Sequence, residues 1–103
     1  MIDFQEFQGF NWDSGNRRNN EKHGVTMSEV EEVFFNMPLL VLEDRKHSHS
    51  EIRLHALGKT DLQRSLHVTF TLRASGTLIR VISARDISKK ERTIYEKSAQ
   101  ENS

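Results

Sequence analysis

Between Leu66 and Leu72 every second residue is apolar: Leu66, Val68, Phe70 and Leu72 alternate with His67, Thr69 and Thr71. A period of two sends the two sets to opposite faces of a β-strand, so this segment reads as a strand with one face in a core. Its neighbours follow the same rule. Downstream, Ala74-Ser75-Gly76-Thr77 reads as a turn into a further strand from Leu78 to Ser83. Upstream, Leu39 to Glu43 is strand-like, and Ile52, Leu54 and Ala56 alternate with Arg53, His55 and Leu57. Four such segments joined by polar turns predict an antiparallel meander. Phe10-Asn11-Trp12-Asp13, which alternates aromatic and polar residues, adds a short strand ahead of them.

Helical spacing occurs on both sides of the strands. Thr26-Met27-Ser28-Glu29 has the spacing of a capping box, with Val25 able to staple against Val30. Met27, Val30, Val33 and Phe34 then form one helical stripe, Glu29, Glu31 and Glu32 lie largely off it, and Pro38 forces an end. A shorter helix is expected from about Asn16 to Lys22, stopped by Gly24. Ser88-Lys89-Lys90-Glu91 repeats the capping-box spacing and opens a final helix to about Ser98, with Ile94 and Tyr95 toward the sheet. The expected fold class is α+β: an antiparallel sheet of about four to five strands, two N-terminal helices and one C-terminal helix. At 103 residues this is one domain, with a core spanning residues 10–96 and frayed ends.

Composition narrows the function classes. No apolar run exceeds the six residues Met37 to Leu42, counting the proline, far short of the roughly 20 needed to span a bilayer. The opening MIDFQEFQGF lacks the basic and apolar regions of a signal peptide. The chain has no cysteine, which excludes disulfides, thiolate nucleophiles and cysteine-ligated zinc. A cytoplasmic location is the expectation. Net charge is zero, but residues 1–51 carry ten acidic and five basic side chains and residues 52–103 the reverse. That asymmetry can produce an electropositive face suited to phosphate, or it can be chance segregation on an intermixed surface.

A sheet with basic residues on several strands suggests chemistry on RNA, whose own 2′-hydroxyl can attack the adjacent phosphate. The protein then supplies a base, an acid and cations, with no cofactor and no metal. Arg53, Arg80 and Arg85 suit the cation role, since a guanidinium stays charged and forks onto phosphate oxygens. Each alone reads more readily as a solvated strand residue, and only the combination points to phosphate. His23, between Lys22 and Gly24, can act as acid or base, or can cap the carbonyls of the preceding helix. Glu91 has a structural role as partner of Ser88, and Tyr95 one as an amphipathic core residue. His47-Ser48-His49-Ser50 reads as a loop rather than a metal site. Phe34, Phe35 and Trp12 read as core.

Several blocks resemble the BrnT-like toxin family: Trp12-Asp13, Asn20, Lys22-His23-Gly24-Val25, Glu29, Val33-Phe34, Glu51-x-Arg53, Leu57-Gly58, Leu66 to Thr71, Ile79-Arg80-Val81-Ile82-Ser83-Ala84-Arg85 and Glu91-Arg92-x-x-Tyr95-Glu96. The resemblance implies a RelE-like fold and RNA cleavage that arrests growth. It also implies a ribbon-helix-helix antitoxin partner that contacts DNA on the toxin's behalf. It singles out His23, Arg53, Arg80 and Arg85 as catalytic candidates, and Lys22, Glu91 and Tyr95 as RNA-binding or supporting ones. On this view the three arginines neutralise phosphate while His23 or Lys22 handles a proton. Two positions depart from the pattern: Asn19 stands where a lysine is frequent, and Gln63 where a turn glycine is common before Arg64. A degenerate copy that keeps the antitoxin contact without cutting RNA is the alternative.

Overall fold

A computed structural model describes residues 9–12, 23–46, 51–73 and 78–101. The expected helix from Asn16 to Lys22, the 74–77 turn, the 47–50 loop and the Asn19 position lie outside the described residues. The elements run β1 (Gly9–Asn11), α1 (Met27–Phe35), β2 (Leu40–Glu43), β3 (Arg53–Lys59), β4 (Ser65–Arg73), β5 (Leu78–Asp86) and α2 (Lys89–Glu101). The fold is α+β, with two helices among the described residues.

The strands form one five-stranded sheet in the order β1-β5-β4-β3-β2. The pairs β2–β3, β3–β4 and β4–β5 are antiparallel as the meander predicts. β1 corrects the all-antiparallel expectation: it lies parallel to β5, with Phe10 beside Ile79 and Asn11 beside Arg80, so the sheet is mixed. Only a pairing partner sets strand direction, and β1 joins the outer edge of β5 after a long excursion through the rest of the chain.

The alternation in β4 divides the sheet as its spacing requires. Leu66, Val68 and Phe70 are buried on one face with Leu54, Ala56, Ile79, Val81 and Ala84. α1 closes this face through Val30, Val33 and Phe34, whose ring meets Phe70 edge-on at 5.0 Å. The helix begins with the capping box that its sequence spells: Thr26 accepts from the Glu29 amide, and Glu29 accepts from the Thr26 amide. Val33 rides directly over Gly58, where an added Cβ would sit 2.8 Å from Val33 Cγ1. At its other end Asn36 donates to the Lys59 carbonyl and to Asp61, and Glu32 accepts from the Asp61 amide. Phe35 departs from the core expectation. It is 75% exposed, because only Val30, Val33 and Phe34 fall on the contact stripe.

α2 packs on the opposite face through a narrow stripe. Tyr95 is buried among Leu57, Ile87 and Leu40, and its hydroxyl donates to the Pro38 carbonyl at 2.6 Å. Ile94, expected to face the sheet with it, is 42% exposed. One residue is a rotation of about 100° on a helix, so both cannot sit on so thin a seam.

Candidate active site on the open sheet face

The face that α2 partly covers carries the residues between the apolar positions. Cross-strand register arranges them in three rows: Arg53, Thr71 and Arg80; then His55, Thr69 and Ser83; then Leu57, His67 and Arg85. Residues two apart on a strand are separated by about 6.8 Å, so neighbouring rows lie within the reach of one nucleotide.

This arrangement depends on an irregularity in β5. Arg80 and Arg85 are five residues apart, an odd number that would put them on opposite faces of a regular strand. Thr69 pairs with Ser83 and Phe70 with Val81, leaving Ile82 as an extra residue that reverses the parity. Both arginines therefore share a face with Arg53. The opposite face keeps Val81 and Ala84 buried. The acidic side chains Glu29, Glu31 and Glu32 ride on α1 across the sheet, so part of the sequence's charge asymmetry resolves into opposite sides of the fold.

At the α2 end of this face Asp44, His55, His67, Glu91 and Arg85 close a hydrogen-bonded chain, with Thr69 beside it. His55 Nε2 lies 3.0 Å from Asp44 Oδ2, and its Nδ1 lies 2.9 Å from His67 Nε2 and 3.0 Å from Thr69 Oγ1. His67 Nδ1 lies 2.8 Å from Glu91 Oε2 and 2.7 Å from Arg85 Nη2. Arg85 in turn forks onto both Glu91 oxygens, at 2.9 and 2.7 Å. Glu91 also completes the α2 capping box by accepting from the Ser88 amide. The Arg85 guanidinium, more than the cap itself, holds the Glu91 carboxyl down to about 2, while the Arg85 pKa is raised in return. Burial pushes the His67 ring below its ordinary value, with Arg85 and His55 adding to the effect and Glu91 opposing it.

Arg85 and Glu91 are thus brought together, and Arg53 and Arg80 flank Thr71 on the same face. Thr71 is only 4% exposed, and its hydroxyl finds no hydrogen-bond partner among the described residues. Tyr95 is placed as the anchor of α2 rather than on the rows. His23 sits exposed in the turn ahead of α1, and none of the hydrogen bonds in the histidine chain includes it. That turn is tied down through the Gly24 carbonyl by Arg64, which also bridges Glu29 and grips Asp86 with two bonds. Lys22 lies outside the described residues. Sequence reasoning missed His55, His67 and Asp44. The available signal was a histidine at the polar position of each of two adjacent strands, but only the register shows that they meet.

A family model for BrnT, the ribonuclease toxin of type II toxin-antitoxin systems, matches residues 12–91. The chain belongs to the BrnT toxin family. The match covers α1, all of β2 to β5 and the start of α2 up to Glu91, and so contains every row of the open face. A type II toxin of this family has an antitoxin as its protein partner. No curated protein sequence matches the chain. Among the described residues no helix is long and apolar enough to cross a membrane.

Proposed function

We propose that this BrnT-family chain is a single-domain endoribonuclease that cuts RNA on the open sheet face without a metal cofactor. Arg53 and Arg80 hold the scissile phosphate across Thr71, and Arg85 adds positive charge from the far row. The ribose 2′-hydroxyl is the nucleophile, so the protein's work is to neutralise charge on the phosphate and move protons. The observation that carries this reading is the Ile82 bulge, which turns Arg80 and Arg85 onto the face of Arg53. The orphaned Thr71 hydroxyl between Arg53 and Arg80 supports it, since a buried polar group without a partner costs free energy that a phosphate oxygen would recover. In the cell the toxin would act in the cytoplasm and be neutralised by a ribbon-helix-helix antitoxin covering this cationic face, which would also supply the DNA contact.

The test is incubation of labelled RNA with the purified chain in excess EDTA, beside Arg53→Ala and Arg80→Ala. Cleavage by the parent and a loss of at least about tenfold in each variant, with thermal unfolding retained, is expected, because each removes a charge-assisted contact to the phosphate. Equal cleavage by parent and variants would remove the arginine row from the chemistry. Arg85 supports a second reading of itself: its fork is already filled by Glu91, as expected of a structural cation in a chain that binds antitoxin without cutting. Growth on induction separates the two, since an active toxin arrests cells and a degenerate copy does not.

A further inference from the structure

The hydrogen-bonded chain on the open face has an unusual protonation balance. A carboxylate only accepts, so Asp44 requires a proton on His55 Nε2. If Glu91 likewise takes a proton from His67 Nδ1, the two inner nitrogens, His55 Nδ1 and His67 Nε2, face each other at 2.9 Å with lone pairs and room for one proton between them. The alternative neutral arrangement is also complete. Arg85 donates to His67 Nδ1, His67 Nε2–H donates to His55 Nδ1, and His55 Nε2–H donates to Asp44. The two rings therefore have a fully bonded state with and without one extra proton, and a carboxylate stands at each end to stabilise the cation. The groups facing the pair are Asp44 after β2, Thr69 on β4, Arg85 on β5 and Glu91 on α2.

We propose that His55 and His67 form one proton-accepting unit for RNA cleavage, His55 as the catalytic residue that takes the proton of the 2′-hydroxyl and His67 as the positioning residue behind it. The assignment rests on the ribonuclease reading above. His55 is the more exposed ring, its side chain 25% accessible against 12% for His67. It stands one row from Arg53 and Arg80. Its Nδ1 already accommodates a hydroxyl, that of Thr69 at 3.0 Å, so a ribose hydroxyl entering over Thr69 meets the same nitrogen.

In the step, with the His67 proton on Nδ1 toward Glu91, the 2′-oxygen forms a bond to phosphorus and its proton passes to His55 Nδ1, which then donates to the free lone pair of His67 Nε2. The P–O5′ bond breaks, its electron pair leaving with the 5′-oxygen, which takes a proton from water. The products are a 2′,3′-cyclic phosphate and a 5′-hydroxyl, and the proton on the histidine pair returns to the hydroxide left in solvent. Burial of His67, which disfavours the protonated ring, keeps the resting unit receptive.

The experiment measures cleavage of a labelled RNA across about pH 5 to 9 by the parent, His55→Ala, His67→Asn and His23→Asn, with thermal unfolding of each. It adds binding of an RNA fully 2′-O-methylated to block the attack, and histidine-ring nitrogen NMR on the parent and His67→Asn. His55→Ala should lose about 10²- to 10⁴-fold in cleavage, keep binding of the methylated RNA, and regain activity with free imidazole. The parent's rate should rise with pH along an acid limb that His67→Asn displaces, and His67→Asn should shift the His55 Nδ1 resonance while Asp44 keeps the ring proton on Nε2. His55→Ala cutting at the parent rate, loss of cutting in His23→Asn in its place, or a His55 ring unaltered by His67→Asn would overturn the assignment. A parent that leaves every RNA intact would instead overturn the ribonuclease reading beneath it, whatever the ring spectra show.

Discussion

Glu91 joins the cap of α2 to the cationic face, and Glu91→Gln tests what that junction contributes. The carboxylate accepts from the Ser88 amide, from both Arg85 nitrogens and stands against His67. Glutamine keeps one oxygen for the Ser88 amide, so the capping box can survive, but it removes the charge and sets an NH2 against an arginine that also donates. The carboxyl titrates at about 2 in the fold against an ordinary 4.5. At 1.36 kcal/mol per pH unit that difference is a gross ~3 kcal/mol. Solvent reaches this pair, since the Arg85 side chain is 41% exposed, and screening reduces the figure to about 1–2 kcal/mol. A carboxyl whose folded pKa is depressed contributes fully above its unfolded value and loses that contribution as pH falls through the folded one. Parent and variant should therefore differ by about 1–2 kcal/mol near neutral pH, and the gap should close between about pH 4.5 and 2. Urea unfolding of both proteins at a series of pH values measures it, provided the slopes agree. A gap that stays constant into acid, or no gap at neutral pH, would refute an electrostatic role for Glu91.

Two further substitutions probe the frame around the site. Gly58→Ala drives a methyl to within 2.8 Å of Val33 Cγ1 and 3.3 Å of the Val33 carbonyl. A β-branched side chain on a helix has little freedom to turn away, so the variant should lose about 1–3 kcal/mol, read as a lower thermal midpoint; an unchanged midpoint would mean that α1 lifts from β3 at no cost. Gln63 adopts a φ of 70°, so Gln63→Gly should stabilise the β3–β4 turn by about 0.5–1 kcal/mol in urea unfolding, and destabilisation would show that the glutamine's side chain outweighs its backbone strain.

Local pattern alone determined much of the molecule. The alternation from Leu66 to Leu72 set which side chains of β4 enter the core, and the spacings Thr26-x-x-Glu29 and Ser88-x-x-Glu91 set where both described helices begin. The glycine-favouring turn position was legible at Gln63 as a departure from the family pattern, and the backbone there is left-handed. These features depend on neighbours within a few residues, through side-chain direction on a strand or a cap closed over one turn. The candidate site was only half legible. Arg53, Arg80, Arg85 and Glu91 stood out as charged residues in recognisable blocks, but their common face did not, because a spacing of five on a strand argues against it. The bulge at Ile82 reverses that parity, and a bulge is settled by the ladder to β4 and by keeping both Val81 and Ala84 in the core. The pairing of His55 with His67 and the parallel placement of β1 have the same origin. Cross-strand register joins residues distant in the chain, and it follows from packing the whole sheet against α1 and α2 rather than from any window of sequence.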